Sequence, residues 1–513
     1  MTTTDVPGLL LGERFLARDV LLAETARAAG GFAASGIGEG DSVALLLRND
    51  LPFFAASYGA AALGAYAVPL NFHARASEIA YLLRDCGATV LVGHSDLLRA
   101  ASAGIPAGVR VIAVEPDAAL RDAYRLAEDD CRAPPGLPEW ADWLAHQTPF
   151  PAAAPRAVRS IIYTSGTTGR PKGVRRAPAT AAQEAKIAAM RRRVYGIESG
   201  IRALLPGPLY HSAPNAFGLR AAPLAELLVV MPRFDPEELL RLVERHRITT
   251  MFAVPTMFVR LLALPDDVRR RYDLSSLRFV IHAAAPCPVE VKRAMIEWWG
   301  PVLNEFYGAT ETGAVTFATS ADFLARPGTV GRPVEEAVIR ILDDDGREVP
   351  VGTPGEIFMR LPYYPDFTYH GQDDKRREIE RDGLLTCGDV GYFDAEGYLY
   401  VCDRKRDMVI IGGANIYPAE IEAVLVTLPG VRDCAVIGIP DAEYGEALLA
   451  LVEPQDGAAP DPAALLRRLA LSFAGFKLPR RIEIRAALPR EDSGKIFKRL
   501  LREPYWRDAG RAI

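Results

Sequence analysis

Apolar, β-branched runs alternate with helical stretches over roughly the first 330 residues, and this alternation most constrains the fold. "SVALLL" and "TVLVGH" near the start are followed by "RITTMFAVP", "LRFVIHAAAP" and "VLNEFYGATETG". Strands separated by helices predict a mostly parallel α/β sheet. A Pro- and Ala-rich stretch from "CRAPPGLPEW" to "TPFPAAAPRA" interrupts the pattern and reads as a surface excursion. After about Val330 the texture changes: "VIRILDDDGREVPVGTPGEIFMR" and "GYFDAEGYLYV" are short strands joined by Asp/Gly turns, the mark of antiparallel hairpins. It changes again from about Asp403. "YPAEIEAVLVTLPG" predicts a helix with Pro418 early and Gly430 past its end, followed by the strand "VRDCAVIGI". "DPAALLRRLALSF" opens on Asp461 as an N-cap with Pro462 in the first turn. A small α+β domain of about 110 residues closes the chain.

At 513 residues the chain exceeds one core and predicts two or more domains. A net charge of −5 gives no basic surface for nucleic acid or an anionic membrane. Six cysteines without a C-x-x-C pair read as reduced intracellular thiols, neither a zinc site nor a disulfide frame. The N-terminus has no basic region followed by an apolar run, so no secretory signal is expected. The uncharged stretch Leu51–Leu70 is about long enough to span a bilayer, yet it is mostly small residues bracketed by Pro52 and Pro69. A buried helix running into a strand fits it better. The expectation is a cytoplasmic enzyme without a membrane span, with a homodimer left open.

One stretch points to chemistry. "YTSGTTGRPKG", Tyr163–Gly173, gathers four Ser and Thr hydroxyls, three glycines and a lysine into eleven residues. Glycines let a backbone approach a ligand closely, and hydroxyls, amides and a lysine ammonium suit an anion. The combination describes a cradle for a phosphate chain. It is not the common nucleotide loop G-x-x-x-x-G-K-[ST], because Gly173 follows Lys172 and Pro171 occupies the segment that would open a helix. The preceding "VRSIIYT" reads as a buried strand, which hangs the loop from a strand end, where α/β sheets place ligands.

Three further stretches follow in order: "YGATE" (307–311), "GDVGYFDAEGYLYVCDRKRDMVIIGGANIYP" (388–418) and "PREDSGKIFKR" (489–499). With the glycine loop, and with "PLNFHARASEIAYLLRD" near the start, the chain resembles the adenylate-forming superfamily over essentially its whole length, specifically an acyl-CoA synthetase. The resemblance implies a large N-terminal domain (1–405) of α/β sheets with a small distorted β-barrel, and a small mobile α+β C-terminal domain (406–513). It also implies ATP, Mg²⁺ and CoA acting on a small-molecule carboxylic acid.

The resemblance assigns the cradle, Thr164, Ser165, Gly166, Thr167, Thr168, Gly169 and Lys172, to the β- and γ-phosphates. Thr310 would hydrogen-bond the α-phosphate and Glu311 would hold the Mg²⁺ ion. Tyr307, in the run Glu305-Phe306-Tyr307, would stack on adenine opposite the "HAAAP" turn that includes Ala285. Asp389 would accept the ribose hydroxyls beside Arg404. Eight lysines stand against 52 arginines, yet two of the eight fall in motifs where the family has functional lysines, Lys172 and Lys495. Lys495 would bridge substrate carboxylate and α-phosphate. Gly412 and Gly413 would line the thiol tunnel, where only hydrogen side chains leave room. Both need the same active-site mouth, which the family resolves by rotating the small domain about a hinge, here Arg406. Three positions depart from the family pattern: Ala414 replaces the Glu of "GGENIYP", Ala283 replaces a common glycine, and Arg406 is unusual at the hinge.

The acyl pocket should come from 209–223, 251–258 and 281–287, with His211, Phe217, His282 and Ala283 as lining. His211, Arg220 and His282 are the basic groups there and no Asp or Glu is present, so no carboxylate is offered to an ammonium. A hydrophobic monocarboxylic acid, fatty, aromatic or alicyclic, follows. Two rival readings are transfer of the acyl group to a carrier protein and a non-catalytic acyl or nucleotide sensor on the same fold.

Overall fold

The computed structural model describes residues 6–151, 157–164, 171–370, 372–411, 414–441, 443–490 and 496–507. The chain forms two compact units. The first comprises Met1–Ala253, Leu264–Ile281 and Pro362–Ile379; the second comprises Val254–Ala263, His282–Leu361 and Glu380–Ile513.

The first unit is α/β, as the alternation predicts. "SVALLL" and "TVLVGH" become Ser42–Leu46 and Val90–His94, which lie between Tyr66–Pro69 and Arg110–Val114 in an all-parallel sheet. Their side chains are buried on both faces, which is why both runs lack polar alternation. The stretch tested for a membrane span is the buried helix Leu51–Ala62 followed by the strand Tyr66–Pro69. Among the described residues no helix is long and apolar enough to cross a membrane. A second sheet runs Phe279–His282, Thr250–Ala253, Arg202–Leu205, Leu227–Val230, Gly8–Leu11 and Arg14–Ala17, with an antiparallel hairpin at its end.

The glycine loop follows the end of a short strand. Its preceding strand, Ile162–Thr164, runs antiparallel to Lys172–Arg176, which pairs in turn with Phe367–Tyr369. Only the approach to it is parallel, through a bridge between Ala67 and Ser160. The loop therefore connects two antiparallel strands and is not the C-terminal end of a parallel strand. The β-branched run could not distinguish the two, because both bury the same side chains.

The second unit carries the predicted hairpins. Val338–Leu342 pairs with Gly355–Arg360, and Leu384–Phe393 with Leu399–Arg404, in a curled antiparallel sheet. Towards the C-terminus, Val431–Asp441 and Gly445–Pro454 form a long antiparallel pair. Pro418–Leu425 and Pro462–Leu469 pack their apolar sides on one face of it, and Leu488 with Leu501 and Tyr505 covers the other. Asp461 caps its helix as expected, accepting from the Ala463 and Ala464 N–H groups.

Candidate active site

In the first unit, the hairpin that carries the glycine loop is held at its base. The Tyr163 hydroxyl donates to Asp85 Oδ2 at 2.6 Å, and the Tyr81 hydroxyl donates to the Pro171 carbonyl at 3.1 Å. Both partners lie on the helix Ala76–Cys86, so one helix grips the strand on each side. Thr164 stands opposite Lys172, and Tyr163 opposite Gly173. A Cβ on Gly173 would sit 3.0 Å from the Tyr163 ring and 2.9 Å from Ile161. The Lys-Gly order that separates this motif from the common nucleotide loop thus accommodates a cross-strand tyrosine. Lys172 is buried, with Nζ 5.0 Å from the centre of the Tyr369 ring. Ser165, Gly166, Thr167, Thr168 and Gly169 lie outside the described residues.

The helix Ser212–Ala221 carries the acyl-pocket candidates of this unit. Phe217 is fully buried, and the His211 ring lies 4.2 Å from that of Tyr210. Asn215 ties the helix to the strand before the loop, accepting from Ser160 Oγ at 2.8 Å. Arg220 sits among Tyr195, Tyr364 and Arg191, and burial lowers its pKa to about 10.

The second unit assembles a constellation from distant parts of the chain. The Tyr307 hydroxyl donates to Asp389 Oδ2 at 2.8 Å, and Arg404 Nε stands 3.5 Å from Asp389 Oδ1. Asp389 and Arg404 are direct partners across two antiparallel strands. Burial, and then Asp389, push the Tyr307 phenol well above its ordinary pKa, so it remains a donor. Burial opposes the Arg404 charge, but Asp389 and Asp407 outweigh it and raise its pKa.

Thr310 and Glu311 lie between the short antiparallel strands Gly308–Ala309 and Gly313–Ala314. The strands approach so closely that a Cβ on Gly308 would meet the Gly313 carbonyl oxygen at 1.9 Å, which accounts for the glycine in "YGATE". Thr312 Oγ1 accepts the Ala309 N–H at 3.0 Å and closes the turn. Cys387, two residues before Asp389, has its thiol pKa raised by burial and then by the Glu311 charge. Glu311 thus lies within electrostatic range of the strand that bears Asp389.

The "HAAAP" turn follows the strand Phe279–His282. His282 and Ala283 are buried, Ala285 is half-buried, and Ala284 has a φ of 77° without being glycine. Phe306 is buried and its N–H donates to the His282 carbonyl at 3.3 Å. Burial, then the nearby Lys292 charge, hold the His282 imidazole well below its usual pKa, so it is neutral.

Glu305 is buried. Its carboxylate accepts from the buried Lys292 ammonium at 2.7 Å, and its backbone N–H and C=O both pair with Ala318.

Arg406 is exposed in the turn after Leu399–Arg404, where Arg502 donates to its carbonyl at 2.7 Å and pairs with Asp407. Gly412, Gly413 and Lys495 lie outside the described residues.

Sequence reasoning missed Lys292, Asp85 and Tyr81. Lys292 had a signal: it is one of the eight lysines and falls in helical register with Met295, Ile296 and Trp299, all buried. Asp85 and Tyr81 had none, because their partners are 78 and 90 residues away.

Comparison with known proteins agrees with this geometry. The AMP-binding enzyme family matches residues 18–364, and the AMP-binding enzyme C-terminal domain matches residues 420–495. A feruloyl-CoA synthase of Amycolatopsis sp is 35% identical over 487 residues, covering 94% of this chain and 92% of that protein. The long-chain-fatty-acid–CoA ligase FadD13 of Mycobacterium tuberculosis is 33% identical, covering 92% and 90%. Among solved structures, ATP-bound MatB from Rhodopseudomonas palustris is similar with a TM-score of 0.82 at 27% identity, over 100% of this chain and 98% of that one.

Proposed function

Because the chain belongs to the AMP-binding enzyme family, within the adenylate-forming superfamily, and is an AMP-forming acyl-CoA synthetase using ATP and CoA, we propose that it activates a hydrophobic monocarboxylic acid. A carboxylate is a poor electrophile because its charge repels nucleophiles. Transfer of AMP to it gives a mixed anhydride that the CoA thiol attacks, so catalysis is mainly positioning and electrostatic stabilisation.

The Tyr307–Asp389–Arg404 constellation carries this reading. The Asp389 carboxylate has about four lone-pair sites; held in place by Tyr307 and Arg404, it would accept the ribose hydroxyls. Tyr307, anchored through its hydroxyl, offers a fixed ring to adenine, with the Ala283–Pro286 turn as the opposing wall. Thr310 contacts the α-phosphate. Thr164 and Lys172 belong to the β,γ-phosphate cradle.

Glu311 and Thr310 fit a Mg²⁺ ion: both offer hard oxygen donors at one hairpin tip. One carboxylate together with substrate phosphates is a usual way to hold this ion. Bound there, Mg²⁺ would offset phosphate charge.

The acid is assigned as fatty, aromatic or alicyclic because the segments around Phe217, His282 and Ala283 contain no acidic side chain, and the relatives' names include an aryl and a long-chain acid. Pyrophosphate release across a panel of acids, with and without CoA, tests this. Activity with amino acids alone would overturn it. The proposed rotation about Arg406 rests on Lys495 and Gly413 sharing one mouth. Lys495→Ala should cut pyrophosphate release roughly a hundred- to a thousandfold yet still convert supplied acyl-adenylate and CoA to thioester. Gly413→Leu should do the reverse, and equal loss of both half-reactions in both variants would end the hinge reading.

A further inference from the structure

Lys292 is placed against its own physics. It lies in the first turns of the helix Val289–Trp299 and is fully buried, where the helix dipole and lost hydration both oppose a positive charge. Its Nζ donates to Glu305 Oε2 at 2.7 Å and stands 4.5 Å from the centre of the Phe323 ring. The same carboxylate oxygen lies 3.7 Å from His282 Nε2. His282 is the root of the turn in which Ala284 takes a left-handed φ of 77°, and its carbonyl accepts the Phe306 N–H. Three segments therefore converge on Glu305: the strained turn, the helix and the run leading into Tyr307. Stability does not require such a pair, since apolar groups of similar volume in its place are often neutral or stabilising. Strain such as that at Ala284 persists only where its surroundings over-determine it.

We propose that Lys292 and Glu305 are positioning residues for adenylation: their buried ion pair fixes the Ala283–Pro286 turn against the run Glu305–Tyr307 and so sets the width of the adenine slot. The inference rests on the adenine reading given above. Neither side chain touches substrate; the pair acts through His282 and Tyr307.

The test uses the full chain carrying Lys292→Met together with Glu305→Met. The thermal midpoint should equal or exceed that of the parent. AMP affinity by calorimetry and KM for ATP should weaken about tenfold to a hundredfold, while KM for CoA stays at the parent value. A folded double variant with parent-like AMP affinity and KM for ATP overturns the proposal alone. A parent protein that does not bind AMP overturns the adenine reading, and the proposal with it. A cycle of Glu305→Gln and Ala284→Gly decides the matter should the double variant not fold. Glycine removes the strain the pair restrains, so the ATP penalty of Glu305→Gln should shrink about threefold or more in its presence. Strictly multiplicative effects in that cycle overturn the proposal.

Discussion

Each unit buries a histidine beside a carboxylate, and the two are used differently. In the first unit, Asp50 takes the Leu51 N–H at 2.7 Å, His94 Nε2 at 3.0 Å and the Arg14 guanidinium. His94 Nδ1 accepts the Arg48 N–H at 3.1 Å, which places the ring proton on Nε2. Neighbouring Asn49 donates to the Gly207 and Met231 carbonyls and accepts from the Leu209 N–H. In the second unit, neither His282 ring nitrogen has a hydrogen-bond partner among the described residues, and a residue two positions on carries backbone strain. A fully satisfied buried network fixes where segments run. One left strained and partly unsatisfied lies beside the candidate nucleotide site.

The comparison breaks most readily at Asp50. Asp50→Ala leaves buried His94 without its acceptor and Arg14 with Asp117 alone, and should cost about 3–5 kcal/mol of stability, read by denaturant unfolding, with KM for ATP in the folded protein unchanged. A shifted KM at parent stability would show that the first network also serves the site. Asp389→Ala should behave oppositely: loss of hydrogen bonds to a charged group, about 1.5–3 kcal/mol, should raise KM for ATP roughly ten- to a hundredfold and leave KM for CoA unaltered. A change confined to thermal stability would remove Asp389 from the ribose role.

Acid titration sharpens the contrast. The His282 pKa is depressed by burial and by Lys292, so below about pH 6.5 the unfolded chain takes up a proton that the folded chain refuses. Stability present above that pH is lost as pH falls, at up to about 1.4 kcal/mol per unit. Burial sets His246 at about 4, so it adds to the loss down to that pH. Burial would raise Asp50, but His94, Arg14 and the Leu51 N–H outweigh it and hold its pKa low. Its contribution therefore remains until pH drops past about 3.9. Unfolding measured at about pH 7 and about pH 5 should show a shallower slope in His282→Asn; an unchanged slope would mean that His282 is already protonated. The smallest effect is expected at Ala283, which is buried beside His282. Ala283→Gly should relax selectivity toward bulkier acids by about tenfold at most, and an unchanged ranking of acids would show that the position does not face substrate.

Much of this was legible in order along the chain. The helix Leu51–Ala62, the strands Ser42–Leu46 and Val90–His94, the cap at Asp461 and the hairpins after Val330 follow from patterns within about a dozen residues. So did the membership of Tyr307, Thr310, Glu311, Asp389 and Arg404 in one family's motifs. The strand before the glycine loop was legible too, but not its antiparallel pairing, because its β-branched run is the same in either pairing.

Local chemistry is written in the sequence because propensity, capping and turn formation act between near neighbours. Which far residues meet is a different question. Tyr307 and Asp389 are 82 residues apart, and the register that sets Asp389 opposite Arg404 comes from a whole antiparallel pair with a bulge beside it. The burial that made Glu305 a support and Lys292 its counter-ion depends on helix and strand closing over the same spot. Only packing decides that, because an ionic group's role is set by the solvent it loses and the partner it gains.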